Sequence, residues 1–274
     1  MSISQFQTYV IGADTAVGTY LTRVLTEQQY RYKAVGLDRR ERFSIQTNAR
    51  PFFVFTPPLD QPLNLEDMQF WMAAAAEKDA VVVLVSSIAL AEPLVDHDYL
   101  AGDQENRLLA ENLQVLAEFE QIIQQYEKHI ILQVGTLISL SAEDFATVIL
   151  RQLRHNTTLN LDDKQQFAPT PANHVADTLV AIMKQCHCTD QLWGTYQFNG
   201  VEPITAYGFT ESLMAEAGQF EDFQSSTLRA DDTGLKPTLN IPVATGHGLF
   251  HSFGIKAKGW RIGLTELVNQ YYHE

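Results

Sequence analysis

Short apolar runs alternate along the first half of the chain with segments whose apolar residues recur at helical spacing. The run at residues 79–87 is almost continuously apolar, which is typical of a central strand covered by helices on both faces. Strands that alternate with helices through short connections predict an α/β protein with a doubly wound parallel sheet. The predicted strands are residues 9–11, 32–37, 51–56, 79–87 and 130–134, and the predicted helices between them are residues 17–25, 64–78 and 104–126.

The turn after the first predicted strand has the glycine pattern of a nucleotide-binding turn. Gly12 can form the tight exit from the strand, and Gly18 lies at the start of the following helix. Together with a second strand that ends at Asp38, this forms the first half of a Rossmann unit, in which a pyrophosphate lies on the helix N-terminus. Thr15 stands where close approach of the phosphates favours glycine. The candidate cofactor-binding residues are Gly12, Thr15, Ala16, Val17, Gly18, Asp38, Arg39 and Thr56.

The residues after the second and third predicted strands leave the choice between NAD and NADP open. Asp38 favours a ribose hydroxyl and therefore NAD, whereas the guanidinium of Arg39 or Arg40 favours the 2′-phosphate of NADP. The third strand ends at Thr56, before two prolines, which places Thr56 at the carboxyl edge of the sheet, where ligands bind. We therefore expect NAD or NADP at this edge.

Two serines, Ser86 and Ser87, end the central strand at residues 79–87. Serines at such a position either form a turn without any chemistry or donate hydrogen bonds to a substrate oxygen. The sequence leaves both interpretations open.

The second half of the chain has a different pattern of helices, strands and proline-bounded loops, which predicts a smaller lobe. Ser141 is the expected cap of its first helix, and prolines bound a rigid loop before its second helix. We expect a Rossmann-like domain at residues 1–160 and a small α/β substrate-binding lobe, interleaved with it, at residues 161–274. The predicted elements are helices at residues 141–155, 173–184, 205–217 and 264–272 and a strand at residues 193–200.

The charge of the chain argues against two classes of partner. Its 274 residues carry a formal net charge of -14, whereas nucleic acid and anionic membranes reward a basic surface. No apolar run approaches the length of a membrane span, and the first residues lack the regions of a signal peptide, so we expect a cytoplasmic protein.

The cysteines and histidines do not predict a metal site. Cys186, His187 and Cys188 are consecutive, and no second ligand pair at zinc-like spacing follows them. His247 and His251 are four residues apart, but glycine stands where a metalloprotease motif places glutamate. We therefore expect reduced thiols, surface histidines and no bound metal.

Several motifs of the second half resemble those of the extended short-chain dehydrogenase/reductases, in particular dTDP-4-dehydrorhamnose reductase and its sugar-nucleotide-binding relatives. Ala-Pro-Thr-Pro at residues 168–171 resembles the loop of that family, and the segments at residues 194–200 and 205–209 resemble its strand, turn and helix. Residues 253–255 and 260–264 are similar to its C-terminal ending. The resemblance implies substrate-binding roles for Thr170, Lys236 and Asn240, with Lys236 offsetting a diphosphate charge. The alternative for each of them is a residue that only anchors its loop.

The resemblance also implies that the catalytic residues of the family are incomplete in this chain. Its Gly-x-x-Gly-x-x-Gly turn maps onto Gly12, Thr15 and Gly18, so the middle glycine is absent. Its catalytic serine or threonine maps onto Ser87. Its Tyr-x-x-x-Lys pair, in which the lysine lowers the pKa of the proton-donating tyrosine, maps onto Asn112 and Leu116 when the helix is aligned by Glu120.

Asparagine cannot donate the required proton and leucine carries no charge, so we expect no hydride transfer of the family type. A displaced pair at Tyr99 and Asp103 has the wrong partner charge. The favoured hypothesis is a pseudoenzyme that binds a nucleotide or nucleotide sugar, alone, as a homodimer or with a protein partner. One alternative is an active NAD(P)H-dependent reductase or epimerase that uses Ser87 and a displaced acid. A second is an interaction or regulatory subunit with an empty pocket.

Overall fold

The computed structural model describes residues 6–40, 50–59, 61–90, 104–140, 144–155, 158–223, 225–239 and 248–273, with the backbone alone at residues 104–106. The first half of the chain alternates strands and helices as its hydrophobic pattern predicts. Its elements are β1 (Gln7–Ile11), α1 (Ala16–Glu27), β2 (Arg31–Val35), β3 (Pro51–Phe55), α2 (Leu65–Glu77), β4 (Val81–Ser87), a 3₁₀ turn (Ile88–Leu90), α3 (Gln104–Gln124) and β5 (His129–Val134).

The second half consists of short strands and helices, with one longer strand. Its elements are β6 (Leu137–Ile138), α4 (Phe145–Arg154), β7 (Thr158–Leu161), β8 (Gln166–Phe167), β9 (Thr170–Pro171), α5 (Ala172–Cys188), β10 (Gly194–Phe198), β11 (Ile204–Thr205), α6 (Ala206–Ala217), β12 (Thr227–Ala230), α7 (Leu249–Phe253) and α8 (Trp260–His273).

A six-stranded sheet with the order β10-β5-β4-β3-β1-β2 forms the centre of the fold. The pairs β1–β2, β1–β3, β3–β4 and β4–β5 are parallel. The chain leaves β1 towards β2 and then returns to place β3 on the other side of β1, so the order reverses between β1 and β3. Ligands of doubly wound sheets bind at such a reversal. The predicted α/β class and doubly wound parallel sheet are confirmed.

The chain divides into two compact units by its internal contacts. The first unit comprises Met1–Val134, Val175–Gln197 and Gly246–Ile255, and the second comprises Gly135–His174, Phe198–Thr245 and Lys256–Glu274. In the first unit β3 and β4 are buried along their whole length, because α2 and α3 cover one face of the sheet. On the opposite face the Thr8 hydroxyl of β1 lies 3.9 Å from the sulfur of Met183 in α5.

The second unit has small sheets around an aromatic core. β6 and β9 pair in parallel, as do β7 and β12, and β8 pairs with β11 in antiparallel. The rings of Phe145, Phe167 and Phe209 contact one another, and Phe209 also contacts Trp260 with ring centroids 5.5 Å apart. These aromatic contacts hold α4, α6 and α8 together.

Two helices of the second half begin at residues that their sequences did not predict. The cap of α4 is Asp144, whose carboxylate accepts the Thr147 N–H at 3.1 Å, so the predicted start of this helix is wrong; Ser141 itself lies outside the described residues. α8 begins at Trp260 rather than at residue 264, because the buried Trp260 ring packs against Phe209. Long-range packing sets this boundary and overrides the local pattern.

Candidate functional site

Gly12 and Gly18 shape the turn between β1 and α1. Gly12 has φ of +92°, a conformation that glycine adopts without strain, and its N–H donates to the Val35 carbonyl at 2.8 Å. A β-carbon on Gly18 would lie 2.0 Å from the Gly12 carbonyl oxygen. Both positions therefore require glycine, and the turn has the tight strand-to-helix geometry of a Rossmann fold.

Thr15 is the N-cap of α1. Its hydroxyl accepts the Gly18 N–H at 3.2 Å and donates to the Gly12 carbonyl at 2.9 Å. An N–H group at a helix N-terminus is one of the groups that binds phosphate in nucleotide-binding turns. Here the Thr15 hydroxyl already accepts the Gly18 N–H, so this N–H is not free to bind a phosphate. Ala16 and Val17 are the first residues of α1, and Val17 is buried.

Thr56 meets the same turn from the end of β3. Its hydroxyl donates to the Gly12 carbonyl at 2.7 Å, and its N–H donates to the Ile11 carbonyl at 2.9 Å. The structure thus brings Gly12, Thr15, Gly18 and Thr56 together at the reversal of the strand order. Two threonine hydroxyls converge on one carbonyl oxygen there, and they hold the turn closed on itself.

The loop after β2 carries the residues that the sequence predicts to distinguish NAD from NADP. Asp38 and Arg39 are exposed. The guanidinium of Arg40 instead donates to Asp67 at 2.5 Å and to Glu66 at 3.3 Å, in the first turn of α2. Arg40 is therefore engaged in ion pairs with α2, and Arg39 is exposed at the preceding position.

Ser87 takes part in a turn at the end of β4. The side chain is buried, and its oxygen accepts the Ala89 N–H at 3.2 Å. This bond is the turn-forming role that the sequence allows for such a serine. The hydroxyl hydrogen of Ser87 can still be donated, so the geometry is compatible with both interpretations of this residue.

A buried carboxyl group lies close to Ser86. Ser86 and Gln133 are direct neighbours on β4 and β5, and the Gln133 amide donates to both carboxylate oxygens of Glu120 at 3.2 Å. The Ser86 hydroxyl also faces this carboxylate, although its geometry falls short of a regular hydrogen bond. Burial raises the pKa of Glu120, and the two neighbours oppose that rise only in part.

Asn112 fastens α3 to the loop that follows β3. The side chain is 1% exposed. Its amide donates to the carbonyls of Leu59 and Gln61 at 3.0 and 2.8 Å. Its oxygen accepts the Leu63 N–H at 2.9 Å. Both hydrogens and the oxygen of the side chain are thus used in backbone contacts.

Leu116, one turn further along α3, lies in the hydrophobic core and is also 1% exposed. Residues 104–124, which form α3, contain neither tyrosine nor lysine. Sequence reasoning noted Asn112 and Glu120 only as alignment positions and missed their contacts. Polar residues within the apolar stripe of a helix are the signal that could have identified both contacts.

The predicted substrate-binding residues belong to the second unit. Thr170 is fully buried, and its hydroxyl accepts the Gly200 N–H at 3.1 Å and donates to the Ala168 carbonyl at 3.2 Å. Lys236 donates to the Gln165 side chain at 2.9 Å and lies 3.9 Å from the buried carboxylate of Asp162. Asn240, Tyr99 and Asp103 lie outside the described residues.

Metal binding finds no support in the described part of the chain, where no group of three or more His, Cys, Asp or Glu side chains could hold an ion. Cys186 is buried, and burial raises the pKa of its thiol to about 12. Such a thiol is unreactive. Within the same residues, none of the helices has the length and apolar character needed to span a lipid bilayer.

Comparison with protein families identifies one family whose profile covers most of the chain. The profile of the RmlD substrate binding domain matches residues 56–273. No curated protein sequence matches the chain.

Solved structures of reductases have the same fold. dTDP-4-dehydrorhamnose reductase from Clostridium acetobutylicum superposes with a TM-score of 0.67 over 97% of this chain and 99% of its own, at 11% identity. The Bacillus anthracis reductase of that name, in complex with NADP, gives a TM-score of 0.65 over 98% and 100%, at 13% identity. GDP-mannoheptose C4 reductase from Campylobacter jejuni, with NADP bound, gives 0.70 over 98% and 99%, at 12% identity.

Proposed function

This chain belongs to the family of the RmlD substrate binding domain, and we propose on that basis that it binds a nucleotide or nucleotide sugar without transferring hydride. The ligand classes considered are NADP, NAD and a dTDP-sugar. The family and the fold relate the chain to reductases, and the two halves of the proposal, binding and loss of turnover, are supported by different residues.

Loss of turnover is supported above all by the contacts of Asn112. By the resemblance in sequence, with the helix aligned at Glu120, this residue takes the place of the tyrosine that protonates the substrate carbonyl. Its amide donates both hydrogens to the carbonyls of Leu59 and Gln61, and the Asn112 side chain is buried away from solvent. Leu116, in place of the lysine, lies in the core. Neither position therefore offers an acid or a cation for hydride transfer, which supports the proposed loss of turnover.

Binding of a nucleotide is supported by the preserved turn. Gly12 and Gly18 have the geometry that brings a helix N-terminus to a phosphate. The structures from B. anthracis and C. jejuni contain NADP. We expect Arg39, which is exposed, to contribute to the affinity for a 2′-phosphate, whereas the Thr15 cap competes with the pyrophosphate for the Gly18 N–H.

Isothermal titration with NADP, NAD and a dTDP-sugar tests the binding half directly. The wild-type protein should bind at least one of them stoichiometrically. Thr15→Gly frees the Gly18 N–H for a charged acceptor and should tighten the binding of a pyrophosphate ligand by about tenfold.

Thr205→Gly is the matched control for the cap. Thr205 is the N-cap of α6 and accepts the Gly208 N–H at 3.2 Å, the same arrangement as Thr15 with Gly18. Both variants should lose similar stability, but only Thr15→Gly should change the nucleotide affinity. If the wild-type protein binds none of NADP, NAD and the dTDP-sugar, the proposal is wrong.

A second candidate function, an active reductase or epimerase, is favoured by one observation. Glu120 is a buried carboxyl group with a raised pKa beside Ser86, next to Ser87. A raised pKa favours the protonated form of a carboxyl group, and that form can donate a proton. This candidate requires NADPH oxidation with a dTDP-4-dehydro sugar that is abolished by Glu120→Gln and by Ser87→Ala. Absence of turnover with both cofactors and several nucleotide sugars removes it.

A further inference from the structure

Asn199 has a buried side-chain amide that makes no hydrogen bond within the protein. The residue follows β10 directly and is 5% exposed. Its Nδ2 atom is buried, and no group of the described residues accepts a hydrogen bond from it. Because an unpaired buried amide is destabilising, native structures rarely keep one without a reason. The amide therefore calls for an acceptor from outside the chain, which is either an ordered water or a ligand.

The backbone around Asn199 is fixed by neighbouring segments of the second unit. The Gly135 N–H donates to the Phe198 carbonyl at 3.0 Å, and the Gly200 N–H donates to the Thr170 hydroxyl at 3.1 Å. A β-carbon on Gly135 would lie 2.8 Å from the Asn199 β-carbon and 2.8 Å from the Thr170 hydroxyl oxygen. Only glycine allows this approach. The Asn199 side chain therefore starts from a backbone that is in place before any ligand binds.

Asn199 lies where two neighbouring strands of the central sheet end. β5 and β10 are neighbours in the sheet, and they end at Val134 and Phe198. Gly135 and Asn199, the next residue of each strand, pack against each other, so both strands end at the same edge. Doubly wound sheets bind their ligands outside the carboxyl ends of their strands. This position favours a ligand over a structural water as the acceptor.

The two hydroxyl groups nearest in the fold serve the backbone instead. The Thr170 hydroxyl donates to the Ala168 carbonyl at 3.2 Å. The Thr136 hydroxyl donates to the Leu239 carbonyl at 2.6 Å. The resemblance in sequence points to Thr170 as a substrate-binding residue, but its hydrogen is already donated. The Asn199 amide supplies the donor that these threonines do not offer.

We propose that the Asn199 amide binds an uncharged oxygen acceptor in the sugar or the base of a nucleotide sugar. This inference rests on the proposed function, to which it adds a contact residue. Gly135, Thr170 and Gly200, which adjoin the backbone of Asn199, carry no charge. A phosphate would find no cation among these neighbours, whereas a hydroxyl or carbonyl oxygen accepts a hydrogen bond from a neutral amide without one.

Asn199→Leu tests the contact on the full chain, because leucine has nearly the shape of asparagine without its hydrogen-bonding groups. Titration calorimetry compares dTDP-glucose with dTDP, which lacks the sugar, and with NADP. The variant should weaken binding of dTDP-glucose by about tenfold and leave binding of NADP unchanged. Weakening confined to dTDP-glucose assigns the acceptor to the sugar, and equal weakening of dTDP assigns it to the base. Unchanged affinity for dTDP-glucose would overturn the inference and leave a buried water as the acceptor.

Asn173→Leu is the matched control. Asn173 is a buried asparagine of the same unit, 6% exposed, and its amide already donates to Glu266 at 2.8 Å. Without nucleotide, Asn173→Leu should melt at a lower temperature than the wild type, because it loses a protein hydrogen bond. Asn199→Leu should melt at or above the wild-type temperature, because it loses none. The affinity of Asn173→Leu for dTDP-glucose should equal that of the wild type.

These measurements separate failure of the inference from failure of the proposed function. Equal destabilisation of both variants without nucleotide would show that the Asn199 amide has a protein partner, and would overturn the inference whatever the protein binds. A wild-type protein that binds NADP but neither dTDP nor dTDP-glucose would contradict the inference alone. A wild-type protein that binds none of the three would contradict the proposed function as well.

Discussion

Replacement of Asn112 by alanine removes the contacts that fasten α3 to the loop after β3. Three hydrogen bonds are lost, two in which the amide donates to the carbonyls of Leu59 and Gln61 and one in which the oxygen accepts the Leu63 N–H. Their lengths of 2.8 to 3.0 Å are those of regular hydrogen bonds. The variant leaves three backbone groups of the loop without their protein partner.

The expected loss of stability follows from these bonds. A protein hydrogen bond contributes about 1 kcal/mol net, and water can reach part of this loop and replace some of the lost contacts. We therefore expect Asn112→Ala to lower the free energy of unfolding by about 2–3 kcal/mol. Glu111→Ala, at the adjacent exposed position of α3, is the control and should change it by less than about 0.5 kcal/mol.

Urea denaturation measures the stability difference, and hydrogen exchange at the Leu63 amide measures the loop contact itself. The double variant Asn112→Tyr with Leu116→Lys introduces the residue pair that the family resemblance implies for these positions. It should also be destabilised and should not gain NADPH oxidation, because both side chains enter buried positions. Wild-type stability of Asn112→Ala, together with unchanged protection at Leu63, would contradict a stabilising role of these contacts.

Three further predictions concern the turn, the buried acid and the choice of cofactor. Gly18→Ala places a methyl carbon 2.0 Å from a turn carbonyl oxygen and should lower the free energy of unfolding in urea by about 3 kcal/mol, more than Gly208→Ala, whose nearest neighbour is a flexible side chain at 3.0 Å. Burial raises the folded-state pKa of Glu120 above its ordinary value of 4.5, so the wild type loses stability as the pH rises from that value through the folded-state pKa. Glu120→Gln should therefore be more stable than the wild type at pH 8. Thermal unfolding should show that this difference in stability shrinks towards pH 4. In titration calorimetry Arg39→Ala should weaken NADP binding by about tenfold, whereas Arg40→Ala should not, since Arg40 is held by Asp67 and Glu66; equal effects would contradict this assignment.

The strands of the central sheet were predictable because neighbouring residues in the sequence specify them. The apolar run of β4 and the glycines at positions 12 and 18 specify a buried strand and a tight turn through residue type and spacing alone. The cap of α2 is likewise local, since the Asn64 side chain accepts the Glu66 N–H at 2.9 Å. These features need no knowledge of distant residues, and the structure confirms the predicted strand and turn.

The contacts of the candidate site were not predictable, because they join distant parts of the chain. The partners of Asn112 lie in a loop that precedes it by a strand and a helix. Thr15 was recognisable as a missing glycine, but its role as the cap of α1 depends on how the turn closes. Arg40 and Arg39 are adjacent in sequence, and only the position of α2 distinguishes them. Sequence gives the residue type, and the tertiary fold decides its partner.

Hydride transfer is the property on which the account depends most. The most direct measurement is NADPH oxidation by the purified protein, used in molar excess over a dTDP-4-dehydro sugar and followed by absorbance and by product analysis. Because the resemblance to the family maps Asn112 and Leu116 onto the proton donor and its lysine, we expect no oxidation above the buffer rate even when titration shows that the nucleotide is bound. Stoichiometric conversion of the sugar, abolished by Ser87→Ala, would contradict it.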